Sequence, residues 1–215
     1  MKQKLIFISA AIALLLIFVF GMLYYNNQKA NEVVQAAERN KSLLIRDYSP
    51  TIGRQDAKVL IVEFFDPACE TCRDFYPLVK GLMAEDREKI RLSVRYAPFH
   101  EGSGEVVKML EAARIQAKFW PALEALFSAQ PNWVINHQSQ PQLAWSALEG
   151  LGLNFEQMRH DMESPEIARR IEQDIADARA LNVTMTPEYF VNGRPLPSFG
   201  FDELKALVRD ALTQR

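Results

Sequence analysis

The chain has 215 residues, of which 48% are hydrophobic, and its 25 basic and 27 acidic side chains give a formal net charge of −2. The length suits one domain with a sizeable core, and the near balance of charge excludes a strongly basic protein that binds nucleic acid. The only two cysteines stand three positions apart, which excludes a scaffold of several disulfides.

The N-terminal residues differ in composition from the rest of the chain. Residues 5–23 are uncharged and apolar except for Ser9. A helix rises about 1.5 Å per residue, so this segment is long enough to cross a hydrocarbon core of about 30 Å. Lys2 and Lys4 precede it, which predicts a cytoplasmic N-terminus and an uncleaved anchor over residues 1–28. The alternative is a cleaved signal peptide, whose apolar core is usually shorter.

Two further parts are predicted after the anchor. Residues 29–47 are polar and charged with a short apolar pattern, and we expect them to form a partly helical stem. Residues 48–215 are expected to form one exported domain, periplasmic or otherwise extracytoplasmic. A single C-x-x-C pair in an exported chain suits such an oxidising compartment.

A strand–helix–strand unit is predicted at the start of the domain. Residues 58–65 are almost continuously apolar, which is typical of a buried central strand. Residues 70–84 carry apolar side chains at helical spacing, and residues 90–97 alternate apolar and polar side chains as a strand does. A connection of this length predicts that the two strands pair in parallel.

The rest of the domain is predicted to be mostly helical. Residues 103–181 show helical periods and no pattern typical of a strand. Residues 189–191 are a short strand, and Asn192 and Gly193 form a strong hairpin turn signal. Residues 202–212 close the chain as an amphipathic helix.

Cys69 and Cys72 begin the first domain helix within the sequence Cys69-Glu70-Thr71-Cys72. Unpaired backbone N–H groups and the helix dipole favour a thiolate at a helix N-terminus, and the second sulfur lies one turn further on. Cys69 is therefore the candidate nucleophile and Cys72 the candidate resolving thiol. A structural disulfide and half of a zinc site are the alternatives. A disulfide that closes so short a loop adds little stability, which argues against a structural disulfide. Structural zinc needs four ligands, and the three histidines are scattered along the chain, which argues against a zinc site. We predict no metal and no cofactor.

The order of these elements resembles the DsbA-like thiol–disulfide oxidoreductases, an α/β family with a thioredoxin fold and an inserted all-helical subdomain. The resemblance covers residues 48–214 and depends on three motifs besides the dithiol: Val62-Glu63-Phe64-Phe65, Thr186-Pro187 and Phe190-Val191-Asn192-Gly193. It implies an enzyme that exchanges disulfides with the cysteines of exported proteins and with a membrane or periplasmic redox partner.

The resemblance also assigns roles to three residues. It implies a cis-proline at Pro187, which leaves the backbone of Thr186 free to pair with an extended substrate; an ordinary trans turn proline is the alternative. It implies a buried carboxylate at Glu63, whose raised pKa would suit a proton shuttle for Cys72; a water-facing glutamate is the alternative.

Glu70 and Thr71 differ from the Pro-His pair that the best-known oxidases carry between their cysteines. The charge of Glu70 opposes the helix dipole at Cys69, so we expect a less acidic thiol and a less oxidising disulfide. Oxidation and reduction both remain open as the direction of the reaction.

Two other functions are compatible with the same residues. One is a Cu(I)-handling protein that uses the dithiol and His100, and the other is a non-catalytic peptide-binding module in which the cysteines are incidental. Asp66 and Arg73 are expected on a solvated turn and helix surface, and His100 in a loop.

Overall fold

The computed structural model describes residues 14–15, 17–22, 24, 28, 35 and 38–214. Within these residues, no helix combines the length and the apolar character needed to cross a membrane. Most of the predicted anchor, residues 1–28, and part of the predicted stem, residues 29–47, lie outside the described residues.

The described residues form one α/β arrangement after a helical segment over residues 38–44. In chain order its elements are β1 (Thr51–Ile52), β2 (Val59–Phe65), α1 (Glu70–Glu85), β3 (Ile90–Tyr96), α2 (Ser103–Ile115), α3 (Phe119–Ser128), α4 (Gln130–Trp133), β4 (Val134–Ile135), β5 (Gln138–Ser139), α5 (Pro141–Ala144), a 3₁₀ turn (Trp145–Leu148), α6 (Phe155–Met162), α7 (Pro165–Ala180), β6 (Glu188–Val191), β7 (Arg194–Pro195) and α8 (Phe201–Thr213).

A mixed sheet with the order β1-β3-β2-β6-β7 forms the centre of the described domain. β2 and β3 pair in parallel across α1, as predicted, and the other neighbouring strands pair antiparallel. The predicted hairpin between β6 and β7 is also confirmed, because Asn192 and Gly193 both have positive φ, at 48° and 85°. The final helix buries Leu204, Leu207, Val208 and Ala211.

The helical block interrupts the fold between β3 and β6, but the prediction that it contains no strand was wrong. β4 and β5 pair antiparallel through a two-residue turn in which Asn136 and His137 have φ values of 53° and 60°. Such a turn needs two residues in the left-handed region and is usually marked by glycine. Asn136-His137 lacks that glycine, so the sequence does not signal the hairpin.

Both faces of β2 are buried. Ile61 and Phe65 belong to the main core beneath α1 and the helical block. Val62 and Phe64 belong to a smaller cluster on the other face, together with Leu44 from the predicted stem. The end of the stem therefore packs against the sheet.

The polar side of β3 is also buried, and an ionic cluster explains why. Arg95 is fully buried and donates hydrogen bonds to the carboxylates of Asp174, at 2.9 Å, and Asp177, at 2.6 Å, on α7. It also donates to the main-chain carbonyls of Leu43 and Leu44, at 2.7 and 3.1 Å, at the end of the stem helix. Because each charge has a partner of opposite sign, the cluster is tolerated inside the protein.

Candidate active site

The dithiol lies where β2 ends and α1 begins. Cys69 is the N-cap of α1, with φ −76° and ψ 118°, and its sulfur accepts a hydrogen bond from the backbone N–H of Cys72 at 3.4 Å. Both cysteines are free thiols. Cys69 is 5% exposed and Cys72 is 0% exposed, so Cys69 is the more accessible of the two.

The two thiols have opposite acid–base character. Hydrogen bonding from the Cys72 side chain lowers the pKa of Cys69 to about 6, against the effect of burial, and the Thr186 side chain and the backbone at Cys72 and Thr71 add to this lowering. Burial raises the pKa of Cys72 well above its ordinary value, and the negative charge of Glu63 contributes in the same direction. Cys69 is therefore the thiolate at neutral pH, whereas Cys72 keeps its proton.

This difference predicts the pH dependence of alkylation. In the reduced protein, the rate of Cys69 modification by iodoacetamide is expected to rise with a midpoint near pH 6 and then level off, while Cys72 stays unmodified. Alkylation quenched at a series of times, followed by peptide mapping, measures the modification rates of both cysteines. Cys72→Ala removes the side chain whose hydrogen bond lowers the pKa of Cys69 most, so the pH midpoint of Cys69 alkylation should be higher in this variant. A wild-type midpoint at the ordinary cysteine value of about 8.5 would contradict the prediction.

The segment before β6 approaches the nucleophile. The Thr186–Pro187 bond is cis, as predicted, and the main-chain carbonyl of Thr186 accepts a hydrogen bond from the Cys69 thiol at 3.2 Å. This contact brings the β6 end of the sheet against the N-terminus of α1.

Glu63 lies beneath the dithiol on β2. It is 2% exposed, which excludes the alternative of a water-facing glutamate. Burial raises the pKa of its carboxyl to about 8, although an interaction with Tyr189 partly lowers it. The same carboxyl raises the pKa of Cys72, so the two groups interact electrostatically. A carboxyl that titrates near neutral pH is suited to exchanging protons with a neighbouring thiol.

The prediction of a solvated turn at Asp66 was wrong. Asp66 is fully buried, and its carboxylate accepts hydrogen bonds from the backbone N–H of Ala68 and His100, each at 2.8 Å, and from the Ser103 hydroxyl at 3.1 Å. Nδ1 of His100 also lies 2.8 Å from this carboxylate. Asp66 therefore fixes the turn that leads to Cys69, and its carboxylate holds His100 beside this turn. Arg73, by contrast, is partly exposed and pairs with its neighbour Asp74, as a helix surface residue does.

Two residues of the helical block contact the dithiol loop, and sequence reasoning missed both. The fully buried Gln130 donates to the carbonyls of Pro67, at 2.9 Å, and Cys69, at 3.0 Å. His137, in the β4–β5 turn, has its Nδ1 3.2 Å from the Glu70 carboxylate. Thr71 contributes its backbone to the stabilisation of the thiolate.

The fold and the site together define a class of protein. A thiolate at a helix N-terminus, a buried partner thiol and a buried carboxyl in a thioredoxin-like sheet with a helical insertion are the features of a DsbA-like thiol–disulfide oxidoreductase. A family model described as Thioredoxin matches residues 46–210, and the chain belongs to this family.

Individual proteins with known names resemble the chain over the same region. It is 25% identical over 172 residues to Disulfide bond formation protein D of Bacillus subtilis, which covers 76% of this chain and 77% of that protein. The crystal structure of a thioredoxin-like oxidoreductase from Silicibacter pomeroyi superimposes with a TM-score of 0.70 at 30% identity, covering 81% of this chain and 98% of that one.

Several similar proteins are much longer than this chain, and all of these are named as Na(+)/H(+) antiporters. The chain is 32% identical over 144 residues to the Na(+)/H(+) antiporter NhaA of Herminiimonas arsenicoxydans. The match covers 67% of this chain but only 22% of the antiporter.

Proposed function

We propose that this chain is a membrane-anchored protein thiol–disulfide oxidoreductase that acts on exported proteins through Cys69 and Cys72. The observation that carries the proposal is the division of character between the two thiols. Cys69 has the lowered pKa of a nucleophile, and Cys72 is fully buried and protonated behind it. A structural disulfide does not need this asymmetry, whereas dithiol exchange does.

The reaction proceeds through a mixed disulfide. As a reductase, the Cys69 thiolate attacks a substrate disulfide, and one substrate sulfur leaves as a thiolate. Cys72 then attacks Cys69 Sγ, the Cys69–Cys72 bond forms, and the second substrate thiolate leaves. As an oxidase, the same steps run in reverse, and a substrate thiolate attacks the Cys69–Cys72 disulfide.

Two neighbouring groups have roles in these steps. Glu63 accepts the proton of Cys72 as that thiol becomes a nucleophile, and returns it in the reverse direction. Thr186 pairs with the backbone of an extended substrate beside Cys69. The Cys69 thiol donates to the Thr186 carbonyl at 3.2 Å, and loss of the thiol proton leaves that carbonyl free to accept from a substrate N–H.

The N-terminal residues extend the proposal to location. The uncharged apolar run of residues 5–23 after Lys2 and Lys4 supports a single-pass anchor with a cytoplasmic N-terminus and an extracytoplasmic dithiol. Membranes from cells that express the full chain should retain it after alkaline extraction, at the mass of the uncut chain. Release of a shorter chain would favour the signal peptide instead.

The direction of the reaction is tested by trapping. In cells, Cys72→Ala is expected to accumulate mixed disulfides through Cys69 that a reducing agent releases, and Cys69→Ala with Cys72→Ala is the matched control without a nucleophile. Partners whose cysteines normally end as disulfides would identify an oxidase, and partners that normally end as thiols would identify a reductase. Equal recovery from the variant and the control would refute the proposed function.

A further inference from the structure

Tyr189 shares the buried side of the sheet with the candidate proton shuttle. In the antiparallel register of β2 and β6, Tyr189 stands directly opposite Glu63. Directly opposed residues have their Cβ atoms about 4.5–5.5 Å apart and point to the same face. Both side chains are buried, at 0% and 2% exposure, on the face that also carries Cys69 and Cys72.

The hydroxyl of Tyr189 is unusual for a buried group. Within the described part of the chain, Oη is buried and makes no hydrogen bond of ordinary geometry. An unpaired buried hydroxyl destabilises a protein, and a phenylalanine would fill the same space without that cost. The ring itself is well packed, because Phe75 of α1 stacks on it with ring centroids 6.1 Å apart.

The titratable groups around this hydroxyl are those of the reaction. Burial, Glu63 and both cysteines raise the pKa of Tyr189, and Tyr189 in turn lowers the pKa of Glu63 against the effect of burial. The charge of Glu63 also contributes to raising the pKa of Tyr76 on α1. From α8, the buried side chains in the same core are apolar: Leu204, Leu207, Val208 and Ala211. Tyr189 is thus positioned to respond to the protonation of Glu63.

We propose that Tyr189 is a positioning residue for Glu63, whose ionised carboxylate it stabilises by donating a hydrogen bond while Cys72 is being deprotonated. The inference rests on the proposed function. In the mixed disulfide, the Cys72 thiol gives its proton to the Glu63 carboxylate, and the Cys72 thiolate attacks Cys69 Sγ. The Cys69–Cys72 bond forms, the bond from Cys69 to the substrate breaks, and the substrate leaves as a thiolate.

The hydroxyl can follow the proton through this step because it is both a donor and an acceptor. Before the transfer it donates to the carboxylate, and afterwards it accepts from the protonated carboxyl. In the resting dithiol this hydrogen bond does not have ordinary geometry. Hydrogen bonds of this kind often tighten only during the reaction.

A chromogenic aromatic disulfide separates the two steps in one experiment. The reduced protein releases one coloured thiolate when Cys69 attacks and a second when Cys72 resolves the mixed disulfide, and stopped-flow absorbance gives both rate constants over a range of pH. Tyr189→Phe should leave the first rate constant unchanged and lower the second about tenfold at pH 7. Without the tyrosine the pKa of Glu63 rises, so the pH midpoint of the second step should also move upward.

Two further variants distinguish this role from a merely structural one. In a Glu63→Gln background, Tyr189→Phe should have no additional effect on the second rate constant. Tyr96→Phe is the matched control on β3, because its buried hydroxyl donates to Glu111 at 2.8 Å. It should lower thermal stability without moving the pH midpoint, whereas Tyr189→Phe should leave stability unchanged or higher.

The outcomes separate the two proposals. Absence of a second, Cys72-dependent release in the wild type would refute the proposed function. A normal second release whose pH profile is the same in Tyr189→Phe would overturn only the role of Tyr189. If Tyr189→Phe lowered the second rate constant by the same factor in the Glu63→Gln background, the proposed role of Tyr189 would also be overturned.

Discussion

Cys69→Ser is expected to abolish thiol–disulfide exchange, with a fall in rate of about a thousandfold or more. The pKa of about 6 makes Cys69 a thiolate at neutral pH, and a serine hydroxyl neither ionises there nor attacks disulfide sulfur. The fold should be little changed, because serine can still cap α1 through its side-chain oxygen. The rate is measured with the reduced protein and a chromogenic disulfide.

The matched control for this prediction is Cys72→Ser. It retains the nucleophile, so it should release one thiolate equivalent and stop at the mixed disulfide, whereas Cys69→Ser should release none. Substantial exchange by Cys69→Ser would mean that Cys72 or another group acts as the nucleophile. That result is not compatible with a fully buried Cys72 whose pKa is raised.

Arg95→Ala is expected to lower the free energy of unfolding by about 3–5 kcal/mol. The substitution leaves Asp174 and Asp177 buried with less compensating charge, and it removes the donor to the carbonyls of Leu43 and Leu44. Urea unfolding followed by fluorescence measures the change, and the midpoint should fall while the dependence on denaturant stays similar.

Arg54→Ala provides the comparison. Arg54 also contacts two carboxylates, Asp56 and Glu88, but all three side chains are more than half exposed. Such exposed pairs contribute little to stability because water screens them. If the two arginine variants lost similar stability, the Arg95 cluster would not be the buried network described above. Restoring stability by combining Arg95→Met with neutral Asp174→Asn and Asp177→Asn would support it.

The parts of the site that the sequence predicts are those set by local chemistry. Cys69 and Cys72 could be assigned from their spacing at the head of a helix, because capping depends on adjacent residues. Glu63 and Pro187 could be assigned from a family resemblance. The first assignment needs only neighbouring residues, whereas the second needs the motifs that the resemblance joins over residues 48–214.

The residues that the sequence does not predict are placed by contacts between distant segments. Tyr189 meets Glu63 only through the register of β2 and β6, and Gln130 reaches the dithiol loop across 61 positions. The sequence around Asp66 indicates an exposed turn, but His100 and Ser103, more than 30 positions later, contact its carboxylate and help to bury it. Periodicity describes which face a residue occupies, but it does not say which other residue will meet it there.

Arg95 illustrates the same limit for the fold. An alternating strand usually places its polar side chains toward water, and nothing near Arg95 in the sequence indicates otherwise. The aspartates that make its burial possible come 79 and 82 positions later.

Two sets of contacts hold the N-terminal end of the domain in place. Arg95 donates to the carbonyls of Leu43 and Leu44, and Arg46 makes two hydrogen bonds to Asp177, at 2.8 and 2.7 Å. From Leu43 onward the backbone is held to β3 and α7, so any hinge toward the preceding chain has to lie upstream of that residue. In the membrane-anchored protein proposed above, the number of residues before Leu43 would set how far Cys69 can reach toward its substrates. Changing that length would alter the reach without altering the chemistry, whereas a fragment cut at residue 48 would lose both Leu44 and Arg46.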